Sequence, residues 1–127
     1  MTEWLLDSSA VLANLNGEPG GDLVDAIAIG SYISAINLAE VISKLIRGGL
    51  STADAVVAAQ QCGAETIYVD EGQAILAGEL HAGSRSAGLS MADAFCLALA
   101  KQRSFEVLTS DRAWESLDLD VAVKLIR

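Results

Sequence analysis

Residues 89–111 read LSMADAFCLALAKQRSFEVLTSD. Ser90 followed three positions later by Asp93 resembles a capping box, which marks a helix start, and the helix is expected to end near Arg103. Phe105–Leu108 is a buried, β-rich run, and Asp111 opens a further short helix. Working outward, the same alternation recurs. Trp4–Leu6 is a strand followed by a helix over Ser9–Leu15. The run GEPGG at 17–21 is the strongest turn signal in the chain. A short helix around Leu23–Ala28 and a strand at Tyr32–Ser34 follow. Leu38, Val41, Ile42, Leu45 and Ile46 mark one helical face, closed by Gly48 and Gly49. Ser51 caps a helix through about Gln61, Thr66–Val69 is a strand, and Glu71–His81 is a helix. A loop spans Ala82–Gly88, and Val121–Ile126 closes the chain as a strand. Strands alternating with helices specify an α/β domain with a mainly parallel sheet.

The 127 residues, 52% of them hydrophobic, suit one domain with a real core, so residues 1–127 are taken as a single unit. The longest uncharged stretch, Ala26–Ala39, is interrupted by Gly30, Ser31, Ser34 and Asn37, so no membrane span is expected. The start MTEWLLD lacks a basic region and a long apolar segment, so no signal peptide is expected and the location is cytoplasmic. Cys62 and Cys96 lack metal-ligand spacing and are expected to be two buried thiols. Eight basic residues face seventeen acidic ones, a net charge of −9, and none of the eight precedes Lys44. General electrostatic attraction to nucleic acid is therefore excluded. Any action on RNA must depend on a local basic patch and bound cations, and an acidic surface also suits a basic protein partner.

Four acids stand where folding can gather them: Asp7 in WLLDSS, Glu40 in INLAEV, Asp93 in LSMADAF and Asp111 in LTSD. Each has a structural explanation of its own. Asp7 and Asp111 suit helix caps, Asp93 suits the first turn of a helix, and Glu40 suits a surface pair with Lys44. Ser8 and Ser9 make the Asp7 carboxylate redundant as a cap, however. In a parallel α/β sheet, ligands bind beyond the carboxyl ends of the strands, where Asp7 and Asp111 fall. Like charges gathered there repel unless a cation sits among them, and an oxygen-only site suits Mg²⁺ or Mn²⁺. The expected chemistry is metal-dependent phosphodiester hydrolysis. The lone histidine, His81, lies far from every acid, so a two-histidine mechanism has no support; two metal-assisted roles replace it, leaving 5′-phosphate and 3′-hydroxyl ends.

LLDSSAVLA, NLAEV, LSMADAFCLALA and LTSDRAW, in that order, resemble the four acidic motifs of PIN domains, particularly VapC-type toxins of prokaryotic toxin–antitoxin pairs. The resemblance covers essentially the whole chain, and the string around Asp93 is its most specific part. It implies a three-layer α/β/α fold, a Mg²⁺-dependent endoribonuclease that also accepts Mn²⁺, a homodimer, an inhibitory antitoxin and, as substrate, transfer RNA. By position, Asp7, Glu40, Asp93 and Asp111 match the family's metal-site acids, and Thr109 its frequent hydroxyl before the last acid. Asp7, Asp93 and Asp111 are assigned to the metal. Glu40 completes the shell or orients the attacking water. Ser8 and Thr109 are supporting hydroxyls, and Lys44, Arg47, Arg85 and Arg112 are the phosphate-contact set. Two alternatives stand beside this. One is a phosphoacceptor receiver-like domain with Asp70 as acceptor, and the other is a catalytically silent binding module of the same fold.

Overall fold

The computed structural model describes residues 2–84, 88–117 and 120–127. Five short strands, β1 (Trp4–Leu6), β2 (Tyr32–Ser34), β3 (Glu65–Ile67), β4 (Glu106–Thr109) and β5 (Val123–Leu125), form one sheet in the order β3-β2-β1-β4-β5. Every pairing is parallel. Six helices connect or flank them: α1 (Ser8–Leu15), α2 (Gly21–Ile27), α3 (Ala35–Arg47), α4 (Thr52–Gln61), α5 (Glu71–Gly83) and α6 (Met91–Arg103).

The layers follow from the two-residue repeat of a strand. Leu5 and Val107, directly paired, pack with Ala77, Leu97 and Leu99 from α5 and α6. Their neighbours Leu6 and Leu108, also paired, point the other way onto Val11, Val24 and Val41 from α1, α2 and α3. Both faces of the central strands are thus covered, which is why these strands read as apolar runs rather than alternating ones. Each fully buried leucine here contributes about 1.5–3 kcal/mol. A stacked Tyr32–Phe105 pair, with ring centroids 4.8 Å apart, extends the first cluster. The result is the expected three-layer α/β/α arrangement.

Departures from the sequence expectation lie at the sheet's edges. The third strand ends at Ile67 rather than Val69, leaving Tyr68 exposed. Its only partner is β2, and β2 turns into α3 after Ser34, so nothing remains to pair with. β5 shrinks to Val123–Leu125 for the same reason, since it pairs only with Val107–Thr109. The short helix expected after Asp111 is present as a 3₁₀ helix, Arg112–Ser116. α5 runs on to Gly83, into the expected 82–88 loop, and residues 85–87 lie outside the described part.

Strand order also separates the alternatives. A receiver-like sheet has the order 2-1-3-4-5, whereas here β3 is an edge strand. Asp70 beyond it is an exposed N-cap, its Oδ1 accepting from Gln73 N–H at 2.8 Å and from Gln102 Nε2 at 3.1 Å. The chain runs outward from β1 to β2 and β3, then returns to the other side of β1 for β4 and β5. The direction therefore reverses between β1 and β4, the topological switch point where such sheets bind ligands.

Candidate active site at the switch point

Asp7 follows β1 directly, and its N–H bonds Leu108 O at 3.0 Å, tying it to the adjacent strand β4. It occupies the N-cap position of α1 yet makes no side-chain cap bond. Its Oδ2 instead accepts from Ser9 Oγ at 2.7 Å and Thr109 Oγ1 at 2.9 Å. Thr109 Oγ1 in turn accepts from Asp111 N–H at 3.0 Å, and Ser9 Oγ accepts from Ser110 N–H at 3.0 Å. The ends of β1 and β4 are laced together through the first acid. Asp7 is only 3% exposed, and its Oδ1 is buried with no hydrogen-bond partner among the described residues. An uncompensated buried carboxylate oxygen is rare in folded proteins, and its chemistry suits a hard cation.

The electrostatics agree. Burial pushes the Asp7 carboxyl up to about 6, against the lowering effect of its two hydroxyl donors, and the nearby charges of Asp93 and Glu40 push it further. Asp93 is also raised, first by burial and then by Glu40 and Asp111, while its bonds to Ser90 pull it down. Cys96, one turn beyond Asp93 in α6, is fully buried, and its thiol is pushed well up by burial and by Asp7, Asp93 and Glu40. These mutual effects tie all four acids to one neighbourhood.

Different elements deliver the remaining acids. α3 follows β2, so its first turns lie above the carboxyl edge of the sheet, and Glu40 sits in the second turn. Its Oε1 accepts from Ser8 Oγ at 2.9 Å and from Asn37 Nδ2 at 3.0 Å. The anticipated Glu40–Lys44 pair is not formed among the described residues, where the one ion pair is Arg127–Glu18. α6 runs back toward β4, which places its N-terminus at the same edge. Ser90 and Asp93 form the reciprocal capping box there, with both bonds at 3.1 Å. Asp111 is exposed and caps the 3₁₀ helix through Ala113 N–H at 3.0 Å.

Asp7, Ser8, Glu40, Asp93, Thr109 and Asp111 therefore meet at the switch point. The basic residues do not join them equally. Arg112 is exposed beside Asp111. Lys44 and Arg47 are exposed in the last turn of α3, roughly 6 and 10 Å along the helix axis from Glu40. Lys44 borders a groove lined by Leu12, Leu15, Leu45 and Leu50. Arg85 lies outside the described residues. Two polar side chains that sequence reasoning did not place in the site belong to it: Ser9, bound to Asp7, and Asn37, bound to Glu40. The signal for Asn37 was its i, i+3 spacing from Glu40.

Among the described residues, no three acidic, imidazole or thiol groups stand close enough to hold a cation as they are. The donor chemistry nonetheless fits a hard divalent ion: all-oxygen ligands, one buried oxygen without a partner, and acids whose ionisation is disfavoured until positive charge arrives.

The PIN domain family model matches residues 4–119. A chain of the DNA-bound VapBC from Salmonella typhimurium superposes with a TM-score of 0.77 at 19% identity, covering 100% of both chains. A chain of VapBC2 from Rickettsia felis bound to a promoter DNA fragment gives 0.76 at 14% identity, with 98% of each chain covered. One from VapBC-5 of Mycobacterium tuberculosis, a member of the VapBC toxin–antitoxin family, gives 0.63 at 23%, covering 100% of this chain and 99% of that one. No curated protein matches the sequence. With the family model spanning nearly the whole domain, the chain belongs to the PIN domain family, whose members are generally nucleases.

Proposed function

We propose that this chain is a divalent-metal-dependent endoribonuclease, the VapC-type toxin of a toxin–antitoxin pair, that hydrolyses phosphodiester bonds in transfer RNA or another structured RNA. The observation that carries the reading is the buried Oδ1 of Asp7, unpartnered among the described residues, on a carboxyl that feels the charges of Asp93 and Glu40, with Asp111 in turn acting on Asp93. Asp7, Asp93 and Asp111 hold Mg²⁺, for which Mn²⁺ can substitute. An ion held by these residues would supply Lewis-acid chemistry, lowering the pKa of a water and stabilising the leaving oxygen. Thr109 and Ser9 fix the Asp7 carboxylate from behind, leaving Oδ1 as its free face. Ser8 holds Glu40, which completes the site or orients the attacking water. Arg112 contacts a phosphate of the substrate beside Asp111, Lys44 and Arg47 extend that contact outward, and Arg85 is assigned by sequence to the same phosphate-contact set.

A protein partner is supported by the exposed apolar residues Ile29, Tyr68 and Ile75, and by the net charge of −9. The partner is an antitoxin, the chain acts as a homodimer, and its place of action is the cytoplasm. No helix among the described residues is long and apolar enough to cross a membrane. The test is cleavage of total tRNA by the purified chain with Mg²⁺, Mn²⁺ or EDTA, followed by end-group analysis. Metal-dependent fragments with 5′-phosphate and 3′-hydroxyl ends are expected. Fragments ending in 2′,3′-cyclic phosphate, or cutting that persists in EDTA, would overturn the mechanism.

A further inference from the structure

Asn37 presents a buried polar residue with no structural purpose. It is 0% exposed in the first turn of α3. Its Nδ2 donates to Glu40 Oε1 at 3.0 Å, while its Oδ1 is buried with no donor. A carboxylate has only acceptors to offer, so the amide must present its N–H to Glu40, which fixes which end is left bare. Folding has thus kept an orphaned acceptor in order to retain one donor to one acid.

The second donor to Glu40 sharpens the point. Ser8 Oγ reaches the same Oε1 at 2.9 Å, so two donors from two elements, α1 and α3, converge on one oxygen. Oε2 takes no hydrogen bond among the described residues. Two bonds to one oxygen fix both the rotamer and the roll of the carboxylate and leave the other oxygen unbonded, in a side chain whose charge is felt by Asp7 and Asp93. A Glu side chain without such supports would spread over several rotamers and lose free energy on being ordered. The geometry points to Asn37 as a positioning residue. With Ser8, it clamps Glu40 Oε1 so that Oε2 is preset for a divalent cation or its hydrating water, and its own Oδ1 awaits an O–H donor entering the same crevice. This rests on the metal-site reading proposed above.

The test is Mn²⁺ binding by calorimetry, with thermal unfolding alongside, for the wild-type chain, Asn37→Leu, Glu40→Gln and the double variant. Asn37→Leu removes the donor and the orphaned acceptor together while keeping the branched outline, in a somewhat larger volume. Thermal unfolding checks that it remains folded despite the added bulk, while Mn²⁺ should bind about 10–100-fold more weakly. In the Glu40→Gln background the same change should cost at most about 2-fold, because the clamped group is already altered. Asn37→Gln, whose longer amide overreaches Glu40, should fail to restore affinity. An equal loss in both backgrounds, or undiminished Mn²⁺ affinity in Asn37→Leu, would overturn this inference alone. Absence of Mn²⁺ binding by the folded wild-type chain would overturn the metal-site reading with it.

Discussion

Replacing Asp7 with asparagine should make this protein more stable while disabling it. The carboxyl is 3% exposed and burial lifts its pKa from 3.8 to about 6. An acid whose folded pKa is raised binds its proton more tightly folded than unfolded. Its burial is therefore tolerated below the unfolded pKa, and stability is lost as pH rises through the folded one. The gap between 3.8 and about 6, at about 1.4 kcal/mol per pH unit, comes to about 3 kcal/mol above pH 6. At pH 4.5 the same linkage leaves about 1 kcal/mol. Asparagine has nearly the same shape, and the hydroxyls of Ser9 and Thr109 can donate or accept, so both bonds can re-form. Urea unfolding in EDTA should show Asp7→Asn more stable than wild type by up to about 3 kcal/mol at pH 8, with the advantage shrinking by about 2 kcal/mol at pH 4.5. Mn²⁺ at 100 times its dissociation constant should restore about 2.7 kcal/mol to wild type and nothing to the variant. A variant less stable than wild type at pH 8, or a difference that ignores pH, would refute the claim that an uncompensated buried charge sits at position 7.

Three further outcomes follow from the same structure. Thr109→Val removes the donor to Asp7 and the acceptor of Asp111 N–H, so Mn²⁺ affinity by calorimetry should fall about 10–100-fold. Leu99→Ala empties a fully buried position between the sheet and α6 and should cost about 2–5 kcal/mol in urea unfolding, with Mn²⁺ affinity of the folded fraction unchanged. Arg112→Ala should weaken RNA binding and reduce the slope of log affinity against log salt by about 1, whereas an unchanged slope would remove Arg112 from the phosphate contacts.

The fold was legible because its strands are short and its punctuation is strong. Ser90 with Asp93 marked the start of α6, and Ser51 that of α4, and both serines cap as expected. What sequence could not supply was the extent of pairing: Thr66–Val69 is β-rich throughout, but only three residues of β2 are available to pair with it. Within the site, the acids were visible as residue types at strand and helix ends, while the side chains supporting them were not. Ser8 and Ser9 look equivalent in sequence, yet the turn of about 100° between neighbours on α1 sends Ser8 to Glu40 and Ser9 to Asp7. The stripe Asn37, Glu40, Lys44, Arg47 reads as one polar face opposite the apolar one. In the structure it runs from the crevice to solvent: Asn37 is fully buried, Glu40 partly so, and Lys44 and Arg47 are exposed. Periodicity reports the direction of a side chain but not the depth at which its helix turn sits.

The most direct test of the site is anomalous diffraction from crystals of the antitoxin-free chain grown with Mn²⁺. A Mn²⁺ peak at coordination distance, about 2.1–2.3 Å, from Asp7 Oδ1, with Asp93 or Asp111 reaching it directly or through water, is the predicted result. A chain that cuts RNA in Mn²⁺ but shows no peak in this crevice, with Asp7 Oδ1 satisfied by a protein donor instead, would contradict it.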